Sequence, residues 1–335
     1  MSLKYLFALG SFITCALLSA AIPAEEINLY FKTSPVAERL RPFSEPATLS
    51  LLAIAADGKP LTGGRVNVRL EAPRSGGFFS TDFPLVEGSE LVEMRMPLKA
   101  GKAEWKYSFP IRGEYRLIVD VLAVDGTQAR KTFEFKIRER RTKWLVLGIF
   151  TLGLFAVGFI AGRIFTSPAP NGHGAAGIFW LLVVTSFTFP VGTGIGQEAG
   201  NNKPAVRLQI DPPTVGKPAR VNWRLEGDGA GETLTAVLSL TITHLEKRKT
   251  VFAIDRIPVA GEYSMNFQFT DGAEYRVTAS AEMPGGKSAR AEQVVAAAGV
   301  EPPMSAMMPA IGFFLAVIAV GLGVGRWSRW HAAPS

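Results

Sequence analysis

Three methionines offer the most specific chemistry in the chain. Met304, Met307 and Met308 stand at i, i+3 and i+4, which places three thioethers on one face of a helix. Soft sulfur ligands select Cu(I), so copper is the one cofactor these residue types suggest. Methionines also fill irregular apolar contacts at a helix entrance. Met94 and Met96, two apart, share one face of a strand and read as core. Other chemistry is scarce. Of 335 residues, one is cysteine and three are histidine, which excludes an intramolecular disulfide, a thiolate zinc site and an iron–sulfur cluster. No nucleophile elbow, P-loop or dinucleotide fingerprint occurs, and no carboxylate pair reads as an acid–base dyad. The expectation is a protein that is not an enzyme and holds no cofactor other than copper.

Contact residues are easier to find. Gly158-xxx-Gly162 and Gly321-xxx-Gly325 fit the small-xxx-small pattern that lets membrane helices approach closely, either each other or a partner subunit. Phe78, Phe79 and Phe83 lie in a Gly/Ser-rich loop, where they suit a protein or lipid contact or fold back onto a β-core. Arg138, Arg140, Arg141 and Lys143 form a basic run that abuts an apolar stretch and suits anionic headgroups, an acidic partner or a solvated linker.

The elements that position these residues follow from the apolar pattern. Lys4, the run Tyr5–Leu18 and small residues near Ala24 make residues 1–24 a secretory signal. Three later stretches are long enough to cross a bilayer: 144–165, 175–197 and 304–325. None has an ionisable side chain at its centre, which argues against a self-sufficient transporter. The domains are therefore 25–143 and 198–303 outside, with a cytoplasmic loop at 166–174 and a cytoplasmic tail at 326–335. Arg163, Arg326 and Arg329 obey the positive-inside rule, and the Arg138–Lys143 run does not. Long domains translocate largely regardless of charge, so the signal decides the orientation. Of the net charge of +7, residues 25–143 carry +4 and residues 198–303 carry −1. No basic stripe interleaved with aromatics occurs, so nucleic acid is not an expected partner. The expected partners are the lipid bilayer, other integral membrane subunits and a second copy of the chain.

Self-comparison reveals a duplication. Arg65-Val66-Asn67-Val68-Arg69-Leu70-Glu71 recurs as Arg220-Val221-Asn222-Trp223-Arg224-Leu225-Glu226, at an offset of 155. Glu114-Tyr115-Arg116-Leu117 recurs as Glu274-Tyr275-Arg276-Val277 at 160, and the glycine pairs recur at 163. One β-domain plus the helix after it reads as the unit, with 175–197 returning the chain between copies. Within each unit, period-2 alternation and Asp-Gly turns describe an antiparallel sandwich.

The order of an Asp-Gly-Lys-Pro turn, a strand ending Arg-Leu-Glu and a late Gly-Glu-Tyr-Arg strand resembles small bacterial periplasmic domains of the YtkA-like and FixH-like groups. That resemblance implies two immunoglobulin-like sandwiches in the periplasm, anchored by three helices in the inner membrane. In the second copy, Thr243-His244-Leu245-Glu246-Lys247 stands where relatives carry histidine pairs. The layout alone is similar to the B subunit of copper membrane monooxygenases. Together these imply an accessory or structural subunit of an envelope membrane complex, or an accessory protein that handles copper.

Overall fold

A computed structural model describes residues 27–75, 80–164, 205–226 and 235–332. The strands of the first copy are β1 (Asn28–Ser34), β2 (Ala47–Ile54), β3 (Arg65–Glu71), β4 (Glu90–Pro97), β5 (Lys102–Tyr107), β6 (Gly113–Leu122) and β7 (Gln128–Ile137). Those of the second are β8 (Ala205–Ile210), β9 (Pro218–Glu226), β10 (Thr235–His244), β11 (Lys249–Ala260), β12 (Glu262–Gln268), β13 (Glu274–Glu282) and β14 (Ser288–Ala296). Two helices follow the two sets, α1 (Arg141–Ile164) and α2 (Met304–Ala332). Alternation is strict where it matters: β2 buries Ala47, Leu49, Leu51 and Ala53 and turns the residues between them outward. Period-2 burial of this kind forces an extended backbone.

The two copies do not form separate sandwiches. They share two antiparallel seven-stranded sheets, ordered β1-β2-β5-β11-β10-β13-β14 and β7-β6-β3-β4-β12-β9-β8. Each copy contributes three strands to one sheet and four to the other. β5 closes on β11 with Trp105 opposite Ile254 and Tyr107 opposite Phe252. β4 closes on β12 with Val92 opposite Phe267 and Met94 opposite Met265. All eight of these side chains are buried. Pairing removes two exposed edges per copy, and the aligned apolar rows merge two small cores into one. The segments expected as domains 25–143 and 198–303 are therefore halves of a single compact β-body.

The shared sheets also reassign the duplication. By position in the sheets β9 is the counterpart of β2, and β3 is the counterpart of β10. The Arg-Val-Asn repeat thus links two strands that are not equivalent, both placed on either side of the β4·β12 pairing. The 160 offset is the structural one. Tyr115 packs edge-on against Phe109 at 4.9 Å and 71°, and Tyr275 against Phe269 at the same distance and angle. Gly101 and Gly261 both turn at φ +73°, where a side chain would be strained.

Both helices are long and apolar enough to cross a membrane. α1 starts at Arg141 rather than 144, and α2 continues through 326–332, where a tail was expected. The expected span 175–197, the loop 166–174 and the signal 1–24 lie outside the described residues, among which there are two candidate spans rather than three.

Candidate functional site

On the solvent face of the second sheet, the two Arg-Val-Asn strands make one polar surface. β3 turns Arg65, Asn67, Arg69 and Glu71 away from the core, and β9 does the same with Arg220, Asn222 and Arg224, because Val66, Val68 and Leu70, like Val221, Trp223 and Leu225, are buried. Between the strands, Glu93 bridges the copies: its Oε1 accepts from Arg69 Nη2 at 3.0 Å and its Oε2 from Asn266 Nδ2 at 3.1 Å. Arg69 also pairs with Glu90 at 3.2 Å, and Arg220 Nε donates to Ser264 Oγ at 2.9 Å. The Arg69 hydrogen bond holds the Glu93 carboxyl below the usual carboxylate range despite its partial burial. Glu90 moves the other way: burial and the nearby Glu93 charge outweigh Arg69 and raise it. The Oδ1 atoms of Asn67 and Asn222, matching positions of the repeat, are both shielded from solvent and accept no hydrogen bond. This face presents fixed donors and acceptors in rows, as a polar partner surface does.

On the other sheet, the end of β10 and the turn before β13 build a second polar cluster. His244 is 1% exposed, with Nε2 3.4 Å from Asp271 Oδ2 and Nδ1 accepting from the Lys247 backbone at 3.3 Å. Lys247 Nζ reaches Asp271 Oδ2 at 2.5 Å and sits 4.0 Å above the Phe43 ring of the first copy. Burial acts to raise the Asp271 carboxyl, but Lys247 and His244 outweigh it and hold it below its ordinary value. The adjoining cavity, lined by Phe43, Ser108, His244 and Tyr275 among others, has a volume of about 10 Å³, room for one water at most. Both imidazole nitrogens are engaged and the ring packs on Tyr275 at 4.9 Å, so the histidine ties the two copies together and has no path to a substrate. The sequence signal for it was the Thr243–Lys247 motif; its partner Asp271 read only as a turn residue.

The tyrosines at the 160 offset close matching corners. Tyr115 Oη donates to the Ile111 carbonyl at 2.7 Å and accepts from its amide at 3.1 Å; Tyr275 Oη does the same with Asp271 at 3.3 and 3.2 Å. Sequence reading gave these tyrosines a core role without the corner.

In the helical unit, the four glycines meet. A Cβ added at Gly158 would lie 2.5 Å from the Ile318 carbonyl oxygen, and one at Gly321 would lie 2.5 Å from that of Phe155. Gly162 against Leu322 and Gly325 against Phe159 are closer still. The contacts keep one order along both helices, so α1 and α2 run parallel, and Phe150 meets Phe314 edge-on at 5.3 Å. Arg329 Nη1 donates to the Arg163 carbonyl at 3.0 Å, satisfying an acceptor at the end of α1.

The remaining predicted residues are dispersed. Met304, Met307 and Met308 begin α2 with exposures of 66%, 45% and 57%, and among the described residues no group of three His, Cys, Asp or Glu stands together. Arg138, Arg140, Arg141 and Lys143 are exposed, the last two within the first turn of α1. Cations are unfavourable at a helix N-terminus, and Lys143 is offset by ion pairs to Asp82 and Glu139. Phe83 is half-buried, while Phe78 and Phe79 lie outside the described residues.

No family model matches the chain, and no curated protein matches it. Among solved structures, a conjugative transposon lipoprotein from Bacteroides eggerthii is 14% identical over 27% of this chain and 94% of its own, with a TM-score of 0.20. A bacterial ice-binding adhesin is 8% identical over 82% and 65%, at 0.23. Red sea bream transglutaminase is 7% identical over 83% and 32%, at 0.21.

Proposed function

We propose that this chain is a membrane-anchored, non-catalytic accessory subunit of an envelope membrane complex, acting through protein contacts. The observation that carries the reading is the doubled construction: one β-body with merged sheets continues into two parallel helices packed through paired glycines. Such a body is a stiff platform, and its repeated polar face offers fixed contacts outside the bilayer. Supporting the finer reading, each copy arranges its strands three and four with a tyrosine corner before its sixth strand, as immunoglobulin-like domains do. With residues 1–24 as export signal, the β-body belongs in the periplasm and the helices in the inner membrane. Ala175–Gly196 is then a third, returning span.

The test is purification from native membranes in a mild detergent, with the mass of the particle measured by light scattering. A particle heavier than the chain, containing a second protein in fixed stoichiometry, is expected. A monomer that recovers no partner after cross-linking in intact cells overturns the reading.

A further inference from the structure

Along one side of the helix pair runs an apolar groove of about 670 Å³, walled by Trp144, Gly148, Thr151 and Phe155 of α1 and by Phe313 and Val317 of α2. Its depth comes from side-chain size. A Cβ added at Gly148 would meet nothing within 4 Å. At the 163 offset that relates the glycine pairs, the matching positions of α2 are Ile311 and Phe314, so bulk replaces Gly148 and Thr151 on the other side of the pair.

We propose that this groove seats the chain's own segment Ala175–Gly196, an inference that rests on the reading of that segment as a span. The argument is topological. β7 leads into α1, and β8 to β14 hydrogen-bond into the same two sheets as β1 to β7. A chain that crosses the bilayer along α1 must come back before it enters β8. Residues 165–204 are the only chain between Ile164 and Ala205, and within them the 22 residues from Ala175 to Gly196 carry no charge. As a helix they extend about 33 Å, enough for ~30 Å of hydrocarbon.

Ten residues, 165–174, tether this segment to the end of α1. A tether that short gives it an effective concentration beside α1 in the millimolar range, which a separate chain does not match. Running back antiparallel to α1, its second half, from Ser186 to Gly196, comes level with the groove. That half brings Phe187 and Phe189 to fill a hollow and Gly192, Gly194 and Gly196 to allow close approach. In lipid, apolar burial itself drives no association and close packing does, which is what a groove floored by Gly148 and Thr151 permits.

Disulfide scanning in native membranes tests this. In a Cys15→Ser background, Leu152→Cys, on the groove wall, is combined in turn with cysteine at Thr185, Ser186, Phe187 and Thr188. The expected result is a cross-link within one chain at one or two of the four positions, as helical periodicity requires. Adding Gly148→Leu should cut it at least tenfold, and Gly153→Ala, at a site with nothing within 4 Å, should leave it unchanged. Cross-links only between chains, or none at any position while a Phe150→Cys/Phe314→Cys pair still cross-links, overturn the docking. Labelling Ser167→Cys and Asn201→Cys with a membrane-impermeant thiol reagent separates the two failures. Opposite sides are expected, and the same side for both overturns the third span itself.

Discussion

Substituting Gly158 by alanine probes the helix pair at its tightest accessible point. The new Cβ would sit 2.5 Å from the Ile318 carbonyl oxygen, 3.2 Å from its carbon and 3.3 Å from the Gly321 Cα. Real Cβ atoms essentially never approach below 3.0 Å, so the helices must part by at least 0.5 Å there. The obstacle is backbone, which cannot rotate away. A gap of 0.5–1 Å forfeits about a quarter to a half of each dispersion contact it opens, and the neighbouring Gly162, Gly321 and Gly325 contacts open with it. Overpacking of this kind costs roughly 1–3 kcal/mol. If that cost falls on helix pairing, the paired population drops by about 5- to 150-fold. The assay is the cross-linking rate of Phe150→Cys with Phe314→Cys, whose native rings lie 5.3 Å apart, in the Cys15→Ser background. Gly153→Ala, with nothing within 4 Å, should leave the rate unchanged. An unchanged rate in Gly158→Ala, or an equal fall in both variants, would refute the glycine contact as what holds the pair.

Other expectations concern the β-body, read by thermal unfolding of the full chain in detergent. Tyr115→Phe strands the buried Ile111 amide and should cost about 1–3 kcal/mol; Tyr275→Phe, whose bonds are longer and less enclosed, should cost less. Glu93→Gln should destabilise at pH 7 and converge with the parent in acid. The folded pKa of Glu93 is lowered, so its contribution is present above the ordinary carboxylate value and is lost as pH falls through the folded value. Glu90→Gln should do the opposite, raising the midpoint at pH 7 and losing that advantage in acid, because the raised pKa of Glu90 marks its charged form as the unfavourable one. Asp271→Asn should follow the Glu93 pattern, since Lys247 and His244 hold Asp271 below its ordinary value. A pH-independent loss in Glu93→Gln or Asp271→Asn would show that packing, and not charge, holds those sites.

Much of this was legible in the residues. Alternation in Arg65–Glu71 identified a strand, because period-2 burial admits no other backbone, and the uncharged runs identified both helices. The glycine pairs were readable too, since spacing by four fixes one helix face. The merger of the sheets was not. Edge strands such as β5 and β11 join through backbone groups that every residue carries, so no side-chain pattern announces the partner. The same indifference misdirected the strongest repeat. Arg65–Glu71 and Arg220–Glu226 look like copies of one strand, yet they stand at non-equivalent places flanking one pairing.

The sequence by itself determined which segments extend, which coil, which face each buries and that the chain is built twice. Tertiary structure alone decided that the two copies are one body. It also decided that His244 is locked between Asp271 and the Lys247 backbone, and that Glu93 of one copy holds Asn266 of the other. Local pattern is set by the side chains of neighbours along the chain. Partnership between distant strands is set by register, where backbone hydrogen bonds are interchangeable until the whole apolar surface has chosen one arrangement.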